Sequence, residues 1–261
     1  MEKKMIFNPA FPPYAREKYD NFCLLRFFKS KDEREYFFSG KLYMQQQTKY
    51  SIEELGDSIS DFTEGADLIV MPQNEDSFPD IRWVEKDGKQ YVKVMDYAKR
   101  PDNNTDCGIF INRSARSQRR KIFCMYTLWC NTCNDLLVHI DKEKMKTCGE
   151  YGVIITNTHV FFDRIALACN DNPTIYNLRC DFVNYIAEQK NVMIMNPFLK
   201  LAAKYSHQNE FRLCAETDNT ELLELDTHAS FRDIAIPIRL NEFADTVSYK
   251  NGRLTFQKDI E

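Results

Sequence analysis

Residues 200–216 read KLAAKYSHQNEFRLCAE, and from Gln208 onward polar and apolar side chains alternate. That period of two is the mark of a half-buried strand. Side chains two apart on a strand share a face. Gln208, Glu210 and Arg212 therefore fall on one side, and Asn209, Phe211, Leu213 and Ala215 on the other. Phe211, Leu213 and Ala215 suit a core. The polar set presents a carboxylate on a rigid element, with an amide one pleat before it and a guanidinium one pleat after. Two uses fit this pattern: a catalytic carboxylate, or a solvated face whose Glu–Arg pair adds little stability.

Short apolar runs recur along the rest of the chain. Phe22–Phe28 (FCLLRFF), Lys41–Gln46 (KLYMQQ), Ile122–Leu128 (IFCMYTL) and Tyr151–Thr156 (YGVIIT) have the length and aromatic or β-branched content of strands. Leu68–Met71, Thr174–Arg179, Leu222–Leu225, Ile234–Ile238 and Arg253–Gln257 add shorter ones, with Pro237 marking an edge. Lys31–Phe38 reads as a helix ended by Gly40, and Lys142–Cys148 as another ending near Gly149. Val160–Ala168 fits a short helix or a strand, and Phe182–Glu188 a helix. Thr48–Gly65, with Glu53, Glu54, Asp57, Asp61 and Glu64, reads as helix and loop over the surface. Asp87-Gly88 between two alternating runs predicts a hairpin, inserted at about 72–108. Many short strands with few helices between them predict one α+β domain over residues 1–261, built on a largely antiparallel sheet.

At 261 residues with 43% hydrophobic and 28% charged content, the chain can bury a full core. Its net charge of -4 argues against a protein that chiefly wraps nucleic acid. No apolar run reaches the length of a membrane span and no signal-peptide core is present, which predicts a cytoplasmic protein without a membrane partner. The nine cysteines read as reduced thiols. Cys124, Cys130 and Cys133 contain one Cys-x-x-Cys pair where structural zinc sites usually show two pairs, or one with a histidine pair. Zinc at this cluster stays open beside buried thiols. Asn112–Lys121 (NRSARSQRRK) is the one dense basic run, either a solvated loop or a phosphate contact.

Glycine-rich phosphate loops, His-Glu-x-x-His and Gly-x-Ser-x-Gly elbows are all missing. Asp57, Asp61 and Glu64 would share one helix face, as a metal-dependent nuclease or a solvated helix would have them. What remains is Gln208-x-Glu210 late in the chain and Arg26 inside the apolar strand Phe22–Phe28. An arginine there sits at an edge, snorkels, or points into a functional cleft.

This combination resembles the ADP-ribosyltransferase superfamily, in which an early-strand Arg or His holds NAD and a late-strand Gln-x-Glu or Glu-x-Glu supplies the catalytic carboxylate. The resemblance implies a split sheet with flanking helices and NAD as a substrate. It assigns Glu210 and Gln208 to catalysis and Arg26 to the pyrophosphate, with Tyr43 and Tyr126 as candidates for the aromatic clamp on nicotinamide. The family's middle-strand Ser-Thr-Ser is not found, and Met125-Tyr126-Thr127 stands nearest to it. A carboxylate suits the chemistry because breaking the nicotinamide–ribose bond develops positive charge on the sugar.

Leu24–Phe28, Gly40–Tyr43, Ile122–Tyr126, Tyr151–Ile155 and Tyr205–Arg212 also resemble, in order, an uncharacterised bacterial domain family grouped partly with abortive-infection phage defence. Together these imply a mono-ADP-ribosyltransferase, such as a defence toxin acting on a protein or nucleic acid, with an antitoxin or another defence-system protein as a possible partner. The alternative is a non-catalytic immunity or sensor module of the same fold. Neither resemblance implies a metal.

Overall fold

The computed structural model describes residues 5–7, 21–51, 61, 63–70, 77–86, 89–99, 110–130, 142–187, 192–219, 222–243, 247–250 and 253–256. Its first strands are β1 (Met5–Phe7), β2 (Asn21–Phe28), β3 (Lys41–Gln46) and β4 (Leu68–Val70). The hairpin strands β5 (Ser77–Lys86) and β6 (Lys89–Lys99) follow, then β7 (Phe110–Asn112), β8 (Arg120–Cys130) and β9 (Tyr151–Ile155). The second half carries β10 (Ile175–Phe182), β11 (Asn184–Ile186), β12 (Val192–Ile194), β13 (Leu199–Leu201) and β14 (Glu210–Thr217). Last come β15 (Leu223–Asp226), β16 (Ala235–Arg239), β17 (Val247–Lys250) and β18 (Arg253–Phe256).

The main sheet runs β1-β10-β14-β8-β2-β9-β16, with β3 joining β8 and β15 joining β3. All of its pairings are antiparallel except β1 with β10. The α+β expectation with a mostly antiparallel sheet therefore holds, and Pro237 does sit on the edge strand β16. The hairpin β5–β6 forms its own two-stranded sheet, in register from Ser77↔Lys99 to Lys86↔Lys89.

Strand β8 carries a fork. Strand β2 pairs with it from Asn21↔Cys130 to Leu25↔Tyr126, and β3 takes over at Ile122 and Lys121. Phe123, Cys124 and Met125 have no register partner from either strand. Past Leu25, β2 follows β9 instead, with Arg26 opposite Val153 and Phe28 opposite Tyr151. Arg26 bridges the gap: its Nη1 donates to the Cys124 carbonyl at 2.5 Å, and its guanidinium lies 4.7 Å from the Phe123 ring centre. An arginine here does the work of a missing ladder bond, which would otherwise leave a costly bare carbonyl.

Two layers of apolar side chains sandwich the sheet. Leu24, Phe28, Phe123, Met125, Phe211, Leu213 and Ala215 belong to the larger core, under the helices Lys31–Phe38 and Thr158–Asp171. Both helices begin on a side-chain cap. Ser30 Oγ accepts from Glu33 N, and Asn157 Oδ1 from Val160 N. Leu25, Phe27, Tyr126, Leu128 and Ile154 pack in a second cluster. An aromatic knot of Phe22, Phe162, Phe182 and Phe211 anchors β14 in the larger core, with rings 5.0–6.2 Å apart.

Several expectations are corrected. The strand of residues 208–216 starts at Glu210. Gln208 lies in a 3-10 turn (Ser206–Gln208), and Asn209 is left-handed at φ 41, a conformation that asparagine tolerates and that breaks the pleat. The polar face is not solvated, since all of β14 is buried. Of the acidic segment 48–65, the start belongs to a 3-10 turn (Gln47–Ser51), and Asp61 and Glu64 are buried, not on the surface. Its residues 52–60 and 62 lie outside the described residues. Where the sequence predicts a helix over Phe182–Glu188, residues 182–186 are strand instead, Ile175–Phe182 continuing into β11 after Val183. Glu188 lies outside the described residues. Val160–Ala168 lies within a helix. Asp57, the hairpin turn Asp87-Gly88 and Cys133 fall outside the described residues. Among those described, no helix is long and apolar enough to cross a membrane.

Candidate functional site

Glu210 and Arg212 project from one face of β14, opposite Tyr126 and Cys124 of β8. The face is closed by Lys200 on β13 and by the loop carrying Asp61 and Glu64. Lys200, Glu210, Arg212 and Glu64 are 3%, 9%, 1% and 3% exposed, so two cations and two carboxylates share a space almost without water. Burial of single charges is prohibitive, and only mutual pairing makes it tolerable.

The pairing is complete. Arg212 Nε donates to Glu210 Oε2 at 2.6 Å, and Lys200 Nζ donates to Glu210 Oε1 at 2.8 Å. The outer nitrogens of Arg212 grip both oxygens of Glu64, and its Nη1 also reaches the Pro197 carbonyl at 2.7 Å. Gln47 Nε2 adds a third donor to Glu64 at 2.9 Å. Lys200 Nζ further donates to Gln208 Oε1 at 2.7 Å. Burial pushes the Glu210 carboxyl up, but the Arg212 and Lys200 cations outweigh it and hold it down at about 2. Burial would lower the Lys200 ammonium, and Glu210 more than reverses that. Arg212 is likewise held in its charged form, Glu210 and Glu64 outweighing the effect of burial. Asp61 differs: burial, with Glu64 nearby, pushes its carboxyl up.

Beside the cluster, at the fork of β8, lies a cavity of about 430 Å³. Arg26, Tyr126, Gln208 and Glu210 all line it, together with Lys200, Arg212 and Glu64. This size falls in the range of small-molecule sites, roughly 300–1,000 Å³. Strand alternation places the Cβ of Arg26 with Leu24 and Phe28, on the larger core's side. Arg26 nonetheless lines the cavity at the fork, where its Nη1 meets the Cys124 carbonyl. Tyr126 is buried and its hydroxyl accepts from Asn209 Nδ2 at 3.1 Å. Tyr43 is not brought to the cavity. It is 45% exposed and stacks on Tyr36 of the helix Lys31–Phe38, with ring centres 4.4 Å apart.

Two thiols and one phenol also line the cavity without being activated. Burial pushes Cys124 up to about 12 and raises Cys148, so neither is a thiolate at neutral pH. Burial likewise pushes Tyr50 up to about 12. Among the described residues no group of three His, Cys, Asp or Glu side chains is placed to hold a metal ion.

The arginines of the basic run are bonded within the protein. Arg116 chelates Glu216, with its closest approach at 2.9 Å, Arg119 pairs with Asp218 at 3.1 Å and Arg120 with Asp67 at 2.9 Å. Arg113 Nε donates to the Glu64 carbonyl, and Lys121 is fully buried on β8. The run folds as a helical turn, Ala115–Gln118, leading into a central strand.

Sequence reading missed Lys200, Gln47 and Tyr185, whose hydroxyl accepts from the Glu210 amide at 2.9 Å. It took Glu64 for a solvated or metal-facing carboxylate. The signal for Lys200 was its place between Leu199 and Leu201, where a lysine flanked by two apolar strand residues is either exposed or paired. In comparisons with family models, curated proteins and solved structures, the chain matches none of them.

Proposed function

We propose that the cavity at the β8 fork is the NAD site of a mono-ADP-ribosyltransferase with an ADP-ribosyltransferase-like split sheet. One observation carries this reading. The three strands that bear Arg26, Tyr126 and Glu210 are neighbours in the order β2-β8-β14, and all three side chains line one cavity with Gln208. Arg26 and Glu210 are distant in the sequence, and their shared cavity supports the reading.

In the proposed reaction the bond between the nicotinamide nitrogen and ribose C1′ breaks, and nicotinamide leaves with the electron pair. A nucleophile of a macromolecular acceptor, protein or nucleic acid, bonds to C1′ and gives up its proton to solvent. Glu210 is ionised over the whole physiological range, so its charge stands ready for the cation that develops on the sugar. Each carboxylate oxygen keeps a second lone pair for a ribose hydroxyl beyond the bonds to Lys200 and Arg212. Arg26 offers a cation to the pyrophosphate from the fork, where its Nη1 also holds the Cys124 carbonyl. Tyr126 contributes an aromatic wall. Tyr43 has no part in this scheme. A role in cytoplasmic phage defence, with an antitoxin or other defence partner, accords with the second family resemblance.

A second reading, a binding module of the same fold without catalysis, is favoured by the cations that already hold both oxygens of Glu210. Incubation with labelled NAD and candidate acceptors separates the two. The enzyme releases nicotinamide and labels an acceptor, and Glu210→Gln loses about a hundredfold or more of that rate. Full transfer by Glu210→Gln would remove Glu210 from catalysis. Stabilisation by NAD without turnover would favour the binding module.

A further inference from the structure

We infer that Lys200 is a positioning residue of this site: it ties Gln208 to Glu210 and fixes the orientation in which the carboxylate meets the sugar. The inference rests on the NAD reading above and extends it to a residue outside the Gln-x-Glu pattern.

Gln208 is not on β14. The left-handed Asn209 separates it from Glu210, so no pleat sets the two side chains side by side. What they share is one ammonium. Lys200 Nζ lies 2.7 Å from Gln208 Oε1 and 2.8 Å from Glu210 Oε1, with Glu64 Oε1 at 3.5 Å and the Tyr205 ring centre at 4.8 Å. A lysine only donates, so it must face the amide oxygen of Gln208, which fixes which way that amide points. Arg212 holds the other end of the Glu210 carboxylate at 2.6 Å. Two cations at opposite oxygens define the carboxylate plane; one alone leaves it free to turn. Lys200 is itself held on a strand, with β13 paired in parallel to β11 and Lys200 opposite Tyr185. A site built this way depends on supporting groups as much as on the carboxylate itself.

Removing Lys200 has two separable effects. The carboxylate loses alignment, which lowers turnover, and it loses one of the cations that keep it ionised at low pH. Steady-state NAD turnover is measured across pH for wild type, Lys200→Met, Lys200→Gln and Lys200→Arg, beside thermal melting of each without NAD. In the neutral variants kcat falls about tenfold or more with a smaller change in KM, and the acidic limb of the kcat profile moves to higher pH. Lys200→Arg keeps the acidic limb and recovers part of kcat. A kcat loss that follows the melting temperature, with the acidic limb unmoved, reduces Lys200 to a structural residue and overturns the inference. Should Lys200→Met not fold, Lys200→Gln, which keeps a donor without the charge, reads the same limb. If wild type neither turns over NAD nor is stabilised by it, the NAD reading itself fails and takes this inference with it. An active wild type with an unmoved limb in the variants removes Lys200 alone.

Discussion

Arg212→Met puts the buried charge cluster to a quantitative test. Arg212 is 1% exposed and supplies bonds to Glu210, Glu64 and the Pro197 carbonyl. Methionine fills much of its volume and none of its bonds, leaving two buried carboxylates to share the single cation of Lys200. Breaking a buried ion pair by removing one partner costs about 3–5 kcal/mol. The Glu210 carboxyl, held down by Arg212 and Lys200 together, gives a figure of the same order. Its drop from 4.5 to about 2 corresponds to roughly 3 kcal/mol, at about 1.4 kcal/mol per pKa unit. Because the folded value is depressed, the unfolded chain binds the proton first as pH falls. This stability is therefore present above about pH 4.5 and is lost as pH falls toward 2. Urea unfolding followed by fluorescence, to which Trp129 contributes from the core at 3% exposure, reads both effects. Arg212→Met is expected to lose about 3–5 kcal/mol at neutral pH and to show a shallower acid dependence than wild type. A variant within about 1 kcal/mol of wild type, or one that keeps the full acid slope, would refute the claim that these charges are mutually dependent.

Three other substitutions probe separate features. Lys121 is fully buried with no partner for its ammonium among the described residues, and burial lowers its pKa. Wild type should thus gain stability as pH rises toward the ordinary lysine range, and Lys121→Met should be at least as stable at pH 7 without that dependence. A clear loss of stability in melting experiments would contradict this. Arg26→Ala strips the Cys124 carbonyl of its donor and should cost about 1–3 kcal/mol. Hydrogen exchange should rise at Phe123–Met125 more than at Leu128–Trp129, and uniform exchange along β8 would argue against a strut at the fork. Gly40 is at φ 93, and a Cβ there would lie 2.2 Å from the Ala229 carbonyl oxygen. Gly40→Ala should therefore cost about 1–3 kcal/mol, and an unchanged melting temperature would show that the turn can yield.

Elements with a local cause were legible in the sequence. Phe22–Phe28, Lys31–Phe38, Lys41–Gln46 and Tyr151–Ile155 appear within a residue of their expected bounds. Aromatic and β-branched density, a Ser cap and a terminating glycine all act within a few residues. The polar face of β14 was misread because its partner is not local. Glu64 meets Arg212 across 148 residues, and nothing near either position announces the other. The basic run keeps the exposed arginines Arg116 and Arg119 that a solvated segment implies. Their partners Glu216 and Asp218, and Asp67 beside Arg120, lie on distant segments that the sequence does not announce. The start of β14 was misplaced because alternation continues through Gln208 while Asn209 turns the backbone away. Of the proposed site residues, Arg26, Tyr126, Gln208 and Glu210 converge. Tyr43 faces elsewhere because its ring stacks on Tyr36.

The fork at β8 also bears on how the chain can come to be folded during synthesis. Arg26 and the carbonyl it serves are 98 residues apart, and β2 has two neighbours in the sheet, β8 and the still later β9. Strand β14 and its aromatic anchor arrive later still. A strand as apolar as Phe22–Phe28 therefore leaves the ribosome long before anything in its own sheet can cover it. Sheets assembled from such distant pairings fold slowly and expose sticky edges meanwhile. Strand β8 borders β14, β2 and β3, so its emergence is the earliest moment at which the main sheet can begin to close.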